Sequence, residues 1–199
     1  MRSLLVICIT LFLTACAGGG SAVSNLGYFD LGPAKSADWK APQLALSSVD
    51  VRAPSWLEAP TVQYRLAYAN DARRASYAES RWVAPPAELL EKRLQRRLVS
   101  NATSTAACRL RIDLDEFVQS FDKPGGSSVQ IDVRATLLQA SGSTPLVRQS
   151  FSIERPTATA DALGAITAFG AATESLTLAL RDWLDSAATQ EAAQRCKPG

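Results

Sequence analysis

The chain has no histidine among its 199 residues. That absence removes the Ser-His-Asp and Cys-His nucleophile pairs, the usual zinc ligands and the commonest general base at neutral pH. There is no Gly-x-x-x-x-Gly-Lys-Ser/Thr loop and no Gly-x-Gly-x-x-Gly fingerprint after a strand, so neither a P-loop ATPase nor a dinucleotide-binding unit is indicated. Charge of one sign is missing too. With 21 Lys plus Arg against 19 Asp plus Glu, the chain lacks the basic surplus that nucleic-acid binding draws on. Cysteine is sparse, at four residues. The one carboxylate group worth weighing as an acid and base set or a calcium site, Asp113, Asp115 and Glu116, has its two aspartates alternating with Arg109 and Arg111 on a strand pattern. That is the signature of an exposed, charge-paired strand face. The reading is a protein that is not an enzyme and needs no cofactor or metal.

The amino-terminal sixteen residues carry the strongest positive signal. Arg2 precedes an apolar run from Leu4 to Leu13, which is signal-peptide length and well short of the about 20 residues a bilayer-crossing helix needs. Leu13-Thr14-Ala15-Cys16 then supplies the small and apolar residues of a lipoprotein cleavage site with its cysteine. Residues 1–15 read as a lipoprotein signal peptide and Cys16 as the acylated first residue of the mature chain. Three acyl chains exceed the two signals that stable anchoring requires. Ala17 stands where an aspartate would often retain a lipoprotein at the inner membrane. The expected location is therefore the periplasmic face of the outer membrane. Gly18-Gly19-Gly20-Ser21 opens a flexible tether over 16–26, and 27–199 reads as a single domain. No later segment is expected to span a bilayer.

With Cys8 lost in the signal and Cys16 acylated, the domain keeps Cys108 and Cys196. In an oxidising periplasm such a pair tends to form a disulfide; the alternative is two separate thiols, since Cys196 lies three residues from the chain end.

Alternation and punctuation give the elements. Tyr28 to Leu31, Leu44 to Val51, Val62 to Leu66 and Ala75 to Val83 read as extended segments bounded by prolines. Pro86 opens a helix whose Leu90, Leu94 and Leu98 recur every four residues. Its Glu88 and Glu91 lie near the start and Lys92, Arg93, Arg96 and Arg97 toward the end, in keeping with the macrodipole. Three strands follow over Cys108 to Val118, Val129 to Leu137 and Val147 to Ile153, separated by Lys123-Pro124-Gly125-Gly126-Ser127 and Ser141-Gly142-Ser143-Thr144-Pro145, which predicts an antiparallel meander. A helix from about Thr159 to Ala192 closes the chain. Its expected core stripe is Leu163, Ile166, Phe169, Thr173, Leu176, Leu180, Trp183 and Ala187, with Gly164 and Gly170 as weak points.

After the lipobox come Tyr28-Phe29-Asp30-Leu31, then Val49 to Pro60 with Val62-Gln63-Tyr64-Arg65, then Tyr77 and Arg81-Trp82-Val83-Ala84-Pro85. In this order and spacing the chain resembles the ABC-type transport auxiliary lipoproteins. It departs from them where Ala84 takes the acidic position that follows the Trp. The resemblance implies an α/β fold of class three-layer sandwich, with a mixed, largely antiparallel sheet and two main helices, the C-terminal one long. It implies the auxiliary, docking or conducting, component of a lipid-transporting ABC system. The partner would be a periplasmic MCE-domain protein and the cargo phospholipid, with homo-oligomerisation compatible. Trp56, Tyr77, Arg81 and Trp82 lie in the most family-like stretch and belong to residue types enriched at interface hot spots. They form the expected partner-binding set, with core packing the competing role for Trp82 and for Tyr64. Two other readings stay open at this point: an envelope scaffold that never touches cargo, and an envelope enzyme using two converging carboxylates.

Overall fold

The computed structural model describes residues 25–34, 39–99, 108–139 and 142–196. The signal peptide, Cys16 and most of the tether lie outside the described residues. The described residues form seven strands and three α-helices: β1 Gly27–Phe29, β2 Leu46–Arg52, β3 Thr61–Arg65, β4 Arg74–Trp82, α1 Pro86–Leu98, β5 Cys108–Lys123, β6 Gly126–Gln139, β7 Pro145–Pro156, α2 Ala162–Leu184 and α3 Ala187–Ala193.

The architecture is the mixed α/β fold that the resemblance implies, and the strands form one sheet in the order β1-β4-β3-β5-β6-β7, with β2 pairing on β5. The meander β5-β6-β7 is antiparallel, whereas β1 runs parallel to β4 and both β2 and β3 run parallel to β5. β5 is the spine. Its first half pairs with β2, from Leu46 opposite Cys108 to Arg52 opposite Asp113, and its second half pairs with β3 at Tyr64 opposite Gln119 and Arg65 opposite Ser120. The chain therefore leaves the sheet after Arg52, makes a short excursion and rejoins the same side of β5 further along. Lys123 pairs with Gly126 across a two-residue turn. Gly125 there has φ +77°, a left-handed conformation that glycine adopts without the Cβ clash other residues suffer.

β5 runs five residues further than the alternation suggests, because a bulge at Asp115 shifts its register against β6 between Leu114 and Glu116. A bulge adds one residue and flips the inside-outside phase. Phe117 and Val118 are consequently buried side by side, which breaks the period that marks a strand.

Leu110, Ile112 and Leu114 of β5, Val133, Ala135 and Leu137 of β6, and Val49 and Val51 of β2 share one buried face with Leu90, Leu94 and Leu98 of α1. α2 packs on the same core, and half of the expected stripe, Phe169, Thr173, Leu176 and Leu180, is buried, while the other buried positions differ from those expected. Ala165, Ala168, Phe169, Ala172, Thr173, Leu176, Thr177, Leu180 and Leu184 are buried, while Leu163 is 59% exposed, Ile166 and Trp183 are half-buried and Ala187 is exposed. The small residues turn inward because they let the helix axis approach its neighbours. At Gly170 a Cβ would stand 2.9 Å from the Leu31 carbonyl oxygen. The apparent weak point is thus a place of close approach.

The final helix is also not continuous. α2 ends at Leu184, and Ser186 donates from Oγ to the Trp183 carbonyl at 2.7 Å and caps α3 through the Thr189 N–H. Serine's competition for backbone partners favours such a break. By length and composition alone α2 would be able to cross a membrane, contrary to expectation. Half of its most apolar window is buried inside the protein.

Cys108 and Cys196 are joined in a disulfide, with their Cα atoms 5.3 Å apart at a sequence separation of 88. On the chain-entropy model a loop of that length contributes about 4–5 kcal/mol.

Candidate docking surface

The excursion between β2 and β3 is a built presentation of one tryptophan. Pro54 and Pro60 restrict the backbone on both sides. The 3-10 turn Ser55–Leu57 closes through the Leu57 N–H donating to the Pro54 carbonyl at 2.9 Å. Leu57 is completely buried and Trp56 is 56% exposed. Gln63 Nε2 donates to the Trp56 carbonyl at 2.7 Å, so the turn is fastened from below while the indole stays outside.

β4 carries the other three expected contact residues, and the structure separates them. Trp82 is 1% exposed. It meets Phe117 and Phe169 edge-on at 5.7 and 5.6 Å, and those two rings stack at 4.0 Å. Trp82 thus takes the core-packing role weighed for it in the sequence: enclosed on all sides, it braces the sheet against α2. Tyr77 is half-buried in a second aromatic cluster, 4.8 Å from Tyr64, which meets Phe121 at 6.0 Å. Its hydroxyl donates to Gln119 Oε1 at 2.7 Å. Burial first, then the negative charge of Asp161, push the Tyr77 phenol up to about 12. Arg81 points away from Trp82, next to Tyr28 across the β1-β4 register. Its guanidinium donates to the carbonyl of Ser80 at 2.9 Å and to that of Tyr77. Trp56 and Arg81 thus remain as contact candidates, and the Tyr77 side chain is engaged with Tyr64 and Gln119 while its main-chain carbonyl accepts from Arg81.

The helix bases are occupied with the fold. Lys92 pairs with Glu88 at 2.6 Å, Arg96 Nε donates to the Lys92 carbonyl at 3.1 Å, and Arg97 lies over the Trp39 ring and pairs with Glu174 at 3.3 Å. Arg93 is buried and donates to the carbonyls of Leu31 and Gly32. Burial lowers its pKa, against the opposing pull of Glu174. The acidic residues do not converge either. Asp113 lies 3.5 Å from Arg111, Arg134 holds Asp115 with two bonds of 2.8 Å, and Glu116 sits between Arg65 and Arg74. Arg134 is correspondingly raised by its hydrogen bonds and proximity to Asp115.

A feature missed in the sequence is a cleft of about 510 Å³ between the segment after β1 and the helices, with Tyr28, Leu31, Val83, Ile166 and Gly170 among its walls and Arg93 and Glu174 deeper in. Tyr28 and Val83 are 64% and 56% exposed. Tyr28 and Leu31 belong to the Tyr28-Phe29-Asp30-Leu31 run and Val83 to the segment after Trp82, but nothing in the sequence brings them together with Ile166 and Gly170 until the fold assembles them.

Residues 29–180 match the family model described as the ABC-type transport auxiliary lipoprotein component. Among solved structures the fold is similar to a DUF330 protein from Xanthomonas campestris, at 21% identity over 84% of this chain and 95% of that one, with a TM-score of 0.66. It is also similar to an uncharacterised protein at 13% identity, covering 80% and 99% of the two chains, with a TM-score of 0.61. At these identities the likeness speaks to fold. A search of curated proteins returns no match.

Proposed function

The chain belongs to the ABC-type transport auxiliary lipoprotein family, and from that premise we propose that it is the outer-membrane docking component of an ABC system that moves phospholipid between membranes. Cys16 carries the acyl chains and fixes the protein to the periplasmic face of the outer membrane. The partner is a periplasmic MCE-domain protein, met by Trp56 and Arg81.

The observation that carries this reading is the fastened turn at Ser55–Leu57. It leaves Trp56 more than half exposed above a fully buried Leu57. A large rigid aromatic held in water loses little conformational entropy on binding, and tryptophan is among the residues enriched at interface hot spots. The apolar cleft beside Tyr28 and Val83 favours contact with cargo over a purely scaffolding role.

Affinity purification of the lipidated protein from its native envelope, with mass spectrometry of captured proteins and extracted lipids, tests the proposal. Recovery of an MCE-domain protein is expected, together with phospholipid above the level brought by the anchor. The Trp56→Ala/Arg81→Ala double variant is expected to lose the partner at an unchanged melting temperature. Capture of no transport component, or loss of folding in the double variant, contradicts it.

A further inference from the structure

The three edges of the sheet are finished in different ways. β1 is three residues long, which offers little template for pairing. β2 is sealed by α1: the amides of Val49 and Val51 donate to Gln95 Oε1 at 2.7 Å and Glu91 Oε2 at 2.8 Å. β7 runs for twelve residues and has no strand on its far side. Outside the ladder to β6, and among the described residues, its main chain makes two hydrogen bonds. The Leu146 carbonyl accepts from Arg195 at 3.0 Å and the Ser150 carbonyl from its neighbour Gln149 at 3.2 Å. From Phe151 to Arg155 the outward backbone is open. Such an edge is a template for another strand.

We infer that the occupant is the β7 edge of a second copy of this chain, paired antiparallel about a two-fold axis through Phe151. The strand is complementary to itself in that register. Arg148 falls opposite Glu154 of the other copy, Glu154 opposite Arg148, and Ser150 opposite Ser152. All four residues are exposed and lie on the sheet face away from the helices. Arg148 makes no ion pair among the described residues, and Glu154 uses one carboxylate oxygen on the Ser128 hydroxyl, leaving the other available. On the helix-covered face, Val147, Phe151 and Ile153 are half-buried. α2 covers that face, with Arg155 tied to Ser175 of the helix at 2.6 Å. A second β7 would shield the exposed flanks of these side chains. One surface contacting its own copy is the isologous arrangement that closes as a dimer. The pairing needs only this chain, so it stands or falls separately from the docking reading.

The test uses the full-length lipoprotein in detergent, with its mass measured by light scattering over a concentration series and folding checked by thermal melting. The wild type is expected to dimerise. Arg148→Glu and Glu154→Arg each place like charges opposite one another twice, and each is expected to weaken the dimer about tenfold or more. Mixing the two single variants restores both ion pairs in a heterodimer, and the mass is expected to return to that of a dimer. A wild type that remains monomeric at every attainable concentration overturns the inference. So does an assembly whose mass neither single variant changes, or two weakened variants that do not recover on mixing.

Discussion

The edges at β2 and β7 are built from similar backbone and differ in what lies beside them. Along β2 the helix α1 takes the place of a strand. Glu91 and Gln95 are four residues apart on a helix, a rise of about 6 Å. Val49 and Val51 are two apart on a strand, a rise of about 6.6 Å. The two spacings match closely enough for one helix face to accept from successive outward amides. Along β7 the helices sit above the sheet rather than beside it, and among the described residues no side chain reaches the outward amides from Phe151 onward. An edge is closed by what runs parallel to it at hydrogen-bonding distance; apolar cover from above leaves it open.

The disulfide connects the two regions, since Cys108 opens β5 opposite Leu46 of β2, while Cys196 follows α3 near the start of β7. Replacing both residues, Cys108→Ala/Cys196→Ala, is expected to cost about 2–5 kcal/mol, read as a drop in the urea midpoint under non-reducing conditions. An unchanged midpoint would show that neither edge depends on the link. Glu91→Ala/Gln95→Ala strips the seal from β2 and is expected to cost about 1–3 kcal/mol, with loss of hydrogen-exchange protection at Val49 and Val51. Glu91→Gln keeps an oxygen acceptor and should lose much less. If the alanine variant keeps full protection at those two amides, β2 is not sealed by these side chains.

The far end of β7 gives a smaller effect. Asp161 caps α2 by accepting from the Gly164 N–H at 2.8 Å. That bond and one from Thr159 hold its pKa below 3.8. A carboxyl depressed in the folded state contributes stability above its unfolded pKa, and the contribution is lost as pH falls through the folded value. Wild-type stability should therefore fall more steeply below about pH 4 than that of Asp161→Asn. Parallel curves would contradict the cap. The smallest effect is spectroscopic. The Tyr77 phenol should ionise only near 12. Its raised pKa stabilises the fold fully below 10 and progressively less as pH rises toward 12. A phenolate absorbance curve complete by pH 11 would contradict this.

Much of this fold was legible from alternation and punctuation. The proline-bounded segments, the Leu90-Leu94-Leu98 stripe and the Pro124-Gly125 turn are local signals, and all became the elements they suggest. The misses have a common cause. The Asp115 bulge changes the phase of β5 and hides its length. The α2 stripe keeps Phe169, Thr173, Leu176 and Leu180 but takes in Ala165, Ala168 and Ala172 and leaves Leu163 outside, because fit, rather than hydrophobicity, decides which face approaches a sheet. Glu91 suggests a dipole-compensating acid, yet in the structure its carboxylate seals an edge forty residues earlier in the chain. Of the proposed contact set, Trp56 is exposed and Trp82 is internal. Their composition is identical, and only the tertiary position of each indole distinguishes them. The cleft draws on segments near residues 28–33, 83 and 166–174, and no local pattern could announce it.

The central claim is that this domain docks a transport partner through the turn at Trp56. It is tested most directly by placing a photo-crosslinking residue at position 56 in the lipidated protein within native envelopes and identifying what it captures. The account predicts a covalent adduct with an MCE-domain protein, absent when the crosslinker replaces the buried Leu57. Adducts at position 56 with no component of a transport system, alongside intact folding and membrane attachment, would contradict it.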